Sequence, residues 1–333
     1  MFNKKNILVT GGTGSFGKKF IDVILKKYKP NKLIIFSRDE LKQSEIKQMY
    51  SNFKCLRFFI GDVRDLERLK FAFREVDYVI HAAALKQVDT AEYNPIECLK
   101  TNVYGAENVI NACLVNRVKN VIALSTDKAV NPINLYGVSK LASDKLFIYS
   151  NSLSGNLKTK FSVVRYGNVV GSRGSVVEIF QKLLQQKSAF LPITDLKMTR
   201  FWITIDEGVN FVIKSFYRML GGEIFIPIIP SIKIYDLAES MAPKLKKKII
   251  GLRPGEKLHE VLCSIDESQL VRKLKDHYII LPSYEKNYKT KNYTNNLKEK
   301  SFKLDPNFQY SSDKNSKFLS CNEIKKINEK FLM

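Results

Sequence analysis

Ile7-Leu8-Val9-Thr10 is a short apolar strand that runs directly into Gly11-Gly12-Thr13-Gly14-Ser15-Phe16-Gly17 and then into an amphipathic stretch ending near Lys27. Strand, glycine turn and helix in immediate succession restrict the chain to few folds. The free amides at such a helix start suit a phosphate group. Gly11 permits the tight turn, Gly14 lets backbone approach a pyrophosphate, and Gly17 allows the helix to pack closely on the strand. Thr13, Ser15 and Phe16 line the same turn. The glycines fall at i, i+3 and i+6, which differs from the commoner G-x-G-x-x-G spacing.

Further apolar runs follow at Lys32–Phe36, Leu56–Ile60, Tyr78–His81, Val121–Leu124 and Phe161–Tyr166, separated by segments of helical length. This alternation predicts an α/β fold, a doubly wound parallel sheet of the Rossmann type with ligands at the carboxyl ends of the strands. Beyond Tyr166 the pattern turns irregular. Residues 1–166 are therefore expected to form the dinucleotide-binding domain with the reactive residues. Residues 167–333 are expected to be mainly a smaller α/β substrate-binding portion, with segments returning to the first domain. The stretch Lys286–Lys303, rich in Lys, Asn, Tyr and Thr, shows no sustained periodicity and reads as a surface loop.

The second strand ends in Ser37-Arg38. An acid at this distance from the glycines would bond the ribose of NAD. Arg38 instead offers a fork of donors to a 2′-phosphate, with Ser37, Asp39 and Lys42 beside it, which favours NADP. Asp62, in Gly61-Asp62-Val63, is placed to meet the adenine amino group. Ala82, Ala83 and Ala84 keep the backbone open to a cofactor, and Lys86 follows in the loop. His81 reads as a packed strand-end residue.

Tyr-x-x-x-Lys occurs at Tyr28/Lys32, Tyr50/Lys54, Tyr136/Lys140 and Tyr310/Lys314. Only the Tyr136 instance follows a fifth strand, the one ending in Ser125-Thr126, downstream of a glycine loop. An Asn-Pro turn opens a helix from Asn134 to Tyr149, so Tyr136 and Lys140 share one helix face. Lys140 and an oxidised nicotinamide would both favour a tyrosinate, drawing a pKa of ~10 toward neutrality. Tyr136 could then take a proton from a substrate hydroxyl as hydride leaves its carbon. A simple dehydrogenase has no need of Asp127-Lys128. Oxidising a sugar carbon to a ketone acidifies the neighbouring C–H, and an elimination next to it needs one base and one acid. A neutral Lys128 and a protonated Asp127 supply both, as one coupled pair.

The chain of 333 residues carries a net charge of +22, mostly from dispersed lysine, and Lys246–Lys248 is the only run of three. No arginine-aromatic patch accompanies it, so no nucleic-acid partner is expected. The positive field suits a doubly charged nucleotide substrate. No run approaches the ~18 apolar residues of a membrane span, and the opening residues leave no room for a signal peptide. Five scattered cysteines lack metal-ligand spacing and read as reduced, buried thiols of a cytoplasmic protein. No metal is expected.

Thr10–Gly17, Ser125–Asn134, Tyr136–Lys140 and Ser162–Ser175 together resemble the inverting UDP-N-acetylglucosamine 4,6-dehydratases, extended short-chain dehydrogenases of the pseudaminic acid pathway. The resemblance continues through Ile193–Trp202, Gly222–Phe225 and Gly251–Glu260. It implies a bound NADP that is reduced and reoxidised within each turnover. It also implies that Tyr136 assists oxidation at C4, with Thr126 and Lys140 beside it. Lys128 would abstract the C5 proton and Asp127 would assist loss of the C6 hydroxyl. Reprotonation of C5 from the opposite face, by Lys128, would invert that centre. Related retaining enzymes carry glutamate at the position of Lys128. A sister group carries methionine where Tyr136 stands. The same resemblance assigns Val169 to the cofactor and Lys86, Asn168, Arg173, Thr194, Met198, Arg200, Arg253 and Glu256 to the nucleotide sugar, arginines suiting its diphosphate. A homo-oligomer, hexameric or dimer-based, is implied as well. A capsule-type dehydratase and C5-epimerase, or a non-catalytic NADP-sensing regulator, are the competing readings.

Overall fold

β1 (Asn6–Thr10) lies third from one edge of a ten-stranded sheet in the computed structural model, which describes residues 1–172, 174–283 and 293–332. The chain continues through α1 (Ser15–Lys27), β2 (Lys32–Ser37), α2 (Glu40–Met49), β3 (Leu56–Ile60), α3 (Leu66–Ala72) and β4 (Tyr78–His81). Next come α4 (Val88–Tyr93), α5 (Pro95–Leu99), a single π turn, α6 (Gly105–Val115), β5 (Asn120–Thr126), α7 (Leu135–Leu153) and β6 (Lys160–Tyr166). Strands β3, β2, β1, β4, β5 and β6 pair in parallel in that spatial order. The order reverses between β1 and β4, and the crevice at that reversal is where such sheets bind ligands.

The second half is woven from shorter pieces. They are β7 (Asn168–Val170), α8 (Val176–Gln185), β8 (Phe190–Ile193), β9 (Thr199–Thr204), α9 (Ile205–Arg218), β10 (Ile224–Pro227), β11 (Ser231–Lys233), α10 (Ile234–Met241) and β12 (Lys246–Ile249). After them come β13 (Val261–Cys263), β14 (Val271–Lys273), β15 (His277–Ile280), β16 (Phe302–Lys303), β17 (Tyr310–Ser311) and α11 (Cys321–Leu332). β10 joins β6 in parallel, and β15, β14 and β16 extend the same sheet antiparallel. β7, β9 and β11 form a separate sheet, and the lysine run builds β12, which pairs only with β8 among the described residues.

The two larger apolar clusters among the described residues follow from this layout. The larger packs both faces of the main sheet, with Ile7, Leu8, Val9, Phe20, Phe36, Val79, Val121 and Phe161 fully buried. The smaller joins Phe180, Leu191, Ile193, Met198, Trp202, Leu237 and Ile324 over the second half. The cleft between them is the carboxyl edge of the parallel strands.

Two sequence expectations need correction here. Of the stretch Lys286–Lys303, residues 286–292 lie outside the described residues, but the remainder is anchored rather than loose. Tyr293 is buried and donates to Glu223 at 2.9 Å, and Phe302–Lys303 forms the sheet's edge strand. The polar composition had concealed these anchors. The cysteines are all unpaired, yet only Cys98, Cys113 and Cys263 are buried; Cys55 is half-buried and Cys321 exposed.

Candidate active site

Thr10 ends β1 opposite His81 at the end of β4, so the glycine turn rises beside Ala82–Ala84. Gly11 takes a φ of +65°, and a Cβ there would stand 2.8 Å from the Ala83 amide nitrogen. A Cβ on Gly17 would collide with the Gly12 carbonyl. Gly14 caps α1 without a side chain, and no acid occupies the helix's first turn. The cradle is therefore shaped by close backbone packing and leaves the helix's positive end for an anion. These residues fit a dinucleotide. His81 itself is buried, bonded through Nδ1 to Thr10 at 2.9 Å and packed on Phe147, and burial pushes its pKa down to about 3.

At the end of β2, the Thr13 and Ser37 hydroxyls meet at 2.8 Å. Asp39 caps α2 by accepting from the Lys42 amide at 2.9 Å, and its carboxylate also pairs with the Lys42 ammonium. Arg38 is exposed and reaches Asp62 at 3.4 Å. Asp62 is held more firmly by Arg64, at 2.7 Å. Burial disfavours the Asp62 carboxylate, but Arg64 outweighs that and holds its pKa below the usual range. Val63 is buried behind it.

A cavity of about 760 Å³ opens at the carboxyl ends of β4, β5 and β6. Ala82, Ala84, Lys86, Thr126, Asp127, Lys128, Tyr136, Lys140, Asn168, Val169, Thr194, Met198, Arg200, Arg253 and Glu256 all line it. These were singled out from separate segments, and the fold brings them to one space. The glycine loop, Ser37, Arg38, Asp39, Lys42, Asp62 and Ala83 lie outside that lining. Arg173 lies outside the described residues.

Local sequence explains how the central groups are held. Asn134 caps α7 by accepting from the Gly137 amide at 2.8 Å, which fixes the helix that carries Tyr136 and Lys140. Lys140 donates to the Leu124 carbonyl at 2.7 Å and so ties the helix to β5. Burial lowers the Lys140 pKa, with Asp144 opposing. Burial pushes the Tyr136 pKa up to about 12, against the lowering effects of Lys128 and a hydrogen bond to Thr126. With the protein groups alone, desolvation outweighs the neighbouring cations.

Asp127 is wholly buried in the turn after β5, with Oδ1 accepting from Thr126 at 2.9 Å and from the Lys128 ammonium at 3.0 Å. On its other side Lys128 meets Glu260 at 3.1 Å. Burial disfavours the ammonium, but Asp127 and Glu260 outweigh it and raise the lysine's pKa above its ordinary value. These two carboxylates favour the ammonium, so the neutral amine that the elimination needs has to be reached from it. Glu260 is the residue the sequence reading missed. It closes the motif running from Gly251, but a carboxylate after an irregular loop gives no periodic signal.

Arg200 departs from expectation. Its terminal nitrogens donate to the carbonyls of Thr199, Leu258 and Lys257, at 2.7, 3.1 and 2.9 Å. Its guanidinium therefore braces the loop that carries Glu256 and Glu260 and is not wholly open to a diphosphate. Arg253 stays exposed, and among the described residues Glu256 at 3.4 Å is its salt-bridge partner. Asp127 Oδ2, Glu260 Oε2, Asn168 Oδ1 and the Trp202 indole nitrogen are buried without hydrogen-bond partners among the described residues. All four belong to residues lining the cavity. Buried polar atoms rarely stay unpaired, so a hydroxyl-rich ligand is the natural complement.

Residues 7–282 match the family described as polysaccharide biosynthesis protein. A Campylobacter jejuni subsp. jejuni protein named UDP-N-acetylglucosamine 4,6-dehydratase (inverting) is 59% identical, over 98% of both chains. A Rickettsia bellii protein named UDP-glucose 4-epimerase is 43% identical over 84% of each. Among solved structures, Pen from Bacillus thuringiensis superposes with a TM-score of 0.89 at 34% identity, covering 100% of this chain and 99% of its own.

Proposed function

The chain belongs to the polysaccharide biosynthesis protein family and, within it, to the inverting UDP-N-acetylglucosamine 4,6-dehydratases, and from that premise we propose how its cavity performs the reaction. The enzyme converts UDP-N-acetylglucosamine to the 4-keto-6-deoxy sugar nucleotide with inversion at C5. The observation that carries this reading is the Asp127–Lys128 contact at 3.0 Å beside Tyr136 in one cavity. An epimerase that only oxidises and reduces C4 has no use for an acid and a base at C5 and C6.

Gly11, Gly14 and Gly17 cradle the pyrophosphate of a nicotinamide dinucleotide, with Thr13, Ser15 and Phe16 along the loop and Asp62 and Val63 toward the adenine. A nicotinamide bound there supplies the hydride acceptor for C4 and the hydride donor for C6. Arg38, with Ser37 and Lys42, favours the 2′-phosphate of NADP. Ala82–Ala84 and Val169 border the cofactor.

Tyr136 takes the proton of the C4 hydroxyl; its own burial opposes this, and the positive charges of Lys140 and of an oxidised nicotinamide bound nearby would favour it. The new ketone acidifies C5–H. Transfer of the Lys128 proton to Asp127 across their 3.0 Å contact leaves a free amine and a carboxylic acid in one step. Lys128 then removes the C5 proton, and Asp127 protonates the C6 hydroxyl, which departs as water. Inversion requires the ring to present its other face to Lys128 before the proton returns to C5.

Residues 1–166 hold the cofactor and the reacting groups, and residues 167–333 mainly hold the nucleotide sugar. Lys86, Asn168, Arg253 and Glu256 face the diphosphate and sugar, and Thr194 and Met198 the uridine side. The cytoplasm is the compartment that suits five unpaired cysteines. No helix among the described residues is long and apolar enough to cross a membrane. The product serves pseudaminic acid synthesis for surface or flagellar glycosylation, as Tyr136 favours over the capsule-type branch. The enzyme works as a homo-oligomer.

Incubating the purified protein with UDP-N-acetylglucosamine in heavy water and reading the product by NMR tests the assignment. The expected product is an L-configured 4-keto-6-deoxy sugar with deuterium at C5 and no net release of reduced cofactor. A D-configured product would point to a retaining enzyme, and C4 epimerisation without loss of water would overturn the reading.

A further inference from the structure

Lys128 belongs to the first half of the chain, yet half of what holds its nitrogen comes from the second. Its ammonium lies 3.0 Å from Asp127 Oδ1 and 3.1 Å from Glu260 Oε1, so two of its three donors are engaged and one is left for the ligand. Glu260 is itself only 1% exposed. Its backbone is clamped from both sides by Ser312, which accepts from the Glu260 amide at 2.9 Å and donates its own amide to the Glu260 carbonyl at 2.8 Å. The Ser312 hydroxyl bonds Thr199 at 2.7 Å, and Arg200, next along β9, lies 3.8 Å from the Glu260 carboxylate. β13, directly after Glu260, packs on the turn that carries Lys128. A carboxylate buried this deeply and held at this many points is a built feature, because an unneeded buried charge would be costly.

On the reading of Lys128 as the group that works at C5, we propose that Glu260 is a positioning residue of the dehydration, fixing where the Lys128 nitrogen stands and which proton it carries. Asp127 alone cannot do this, because it sits next to Lys128 in sequence and moves with the same turn. Glu260 supplies the second, independent point. The groups facing the lysine nitrogen are Asp127 and Tyr136 from the first half and Glu260, Arg200 and Lys257 from the second. Only Asp127 and Glu260 among them favour the ammonium, and Arg200 opposes it. Exchanging Glu260 for a neutral isostere therefore frees the nitrogen from one anchor and removes one of two charges that keep it protonated. The amine form becomes easier to reach, but its aim at C5 becomes looser.

The test compares wild type with Glu260→Gln and Glu260→Asp. In protein labelled with ¹³C-lysine, the Lys128 signal is the one lost in Lys128→Arg, and its titration reads the charge effect without any turnover. Glu260→Gln is expected to lower its midpoint by about one pH unit or more, and Glu260→Asp to restore part of the shift. With UDP-N-acetylglucosamine, kcat on the pH plateau should fall at least about tenfold while KM changes less than about threefold. Thermal melting and dinucleotide binding, unchanged in Glu260→Gln, exclude misfolding. An unmoved Lys128 titration, or a loss seen in KM alone, would overturn the proposal. A wild type that leaves the substrate intact would instead sink the functional reading, and the titration would still decide the role of Glu260.

Discussion

At Lys128 two carboxylates from distant parts of the chain converge on one nitrogen, and the consequence is a field that raises the lysine's pKa and favours its ammonium form. Removing the side chain should therefore separate chemistry from binding. Lys128→Ala is expected to lower turnover by about 10²–10⁴-fold, the range for a positioned acid or base, while dinucleotide binding measured by fluorescence titration stays as in wild type. Unchanged turnover would end the assignment of this lysine to the C5 step. Asp127, Lys128, Tyr136 and Lys140 were legible from sequence because they fall within fourteen residues on one strand-to-helix passage. Glu260 was not, since it reaches Lys128 across 132 positions through a loop with no periodicity. The charge of Lys128 was illegible for the same reason: half of its field comes from a residue that spacing could not connect to it.

Helix α1 shows the same division among elements. Its place after β1 was readable because a strand, three spaced glycines and an amphipathic run leave one arrangement. Gly17 gives that arrangement a test. In most helices Gly→Ala gains about 1 kcal/mol from propensity. Here the added Cβ would meet the Gly12 carbonyl, and backbone cannot yield as a flexible side chain can. Overpacking of this kind costs about 1–3 kcal/mol. Gly17→Ala is thus expected to lower the melting temperature and weaken dinucleotide binding at least about tenfold, as read by calorimetry; a stabilised variant with full binding would show that α1 can shift freely. The elements of the second half were less readable. β7, β11, β13 and β14 have three residues each, too few to display a period of two, and β10 pairs with β15 across fifty or more positions.

The whole molecule carries +22 formal charge, and the cavity lining continues that excess. Lys86, Lys128, Lys140, Arg200, Arg253 and Lys257 face it, against Asp89, Asp127, Glu256 and Glu260. The cations of the lining outnumber its acids, so the field left for an incoming ligand comes from that excess and from the lysines spread over the surface. Such a field attracts a nucleoside diphosphate sugar and is screened over about 8 Å at physiological salt. It should act on binding and leave the buried chemistry alone. Raising salt from about 20 to about 300 mM is therefore expected to lower kcat/KM for UDP-N-acetylglucosamine several-fold with kcat nearly constant. Uridine as a competitive inhibitor separates this from a general salt effect, because it keeps the base and ribose and lacks the charge. Its inhibition constant should stay level while that of UDP rises in parallel with KM. Equal salt dependence for both would mean that the lysine excess serves the surface of the protein and not the capture of its substrate.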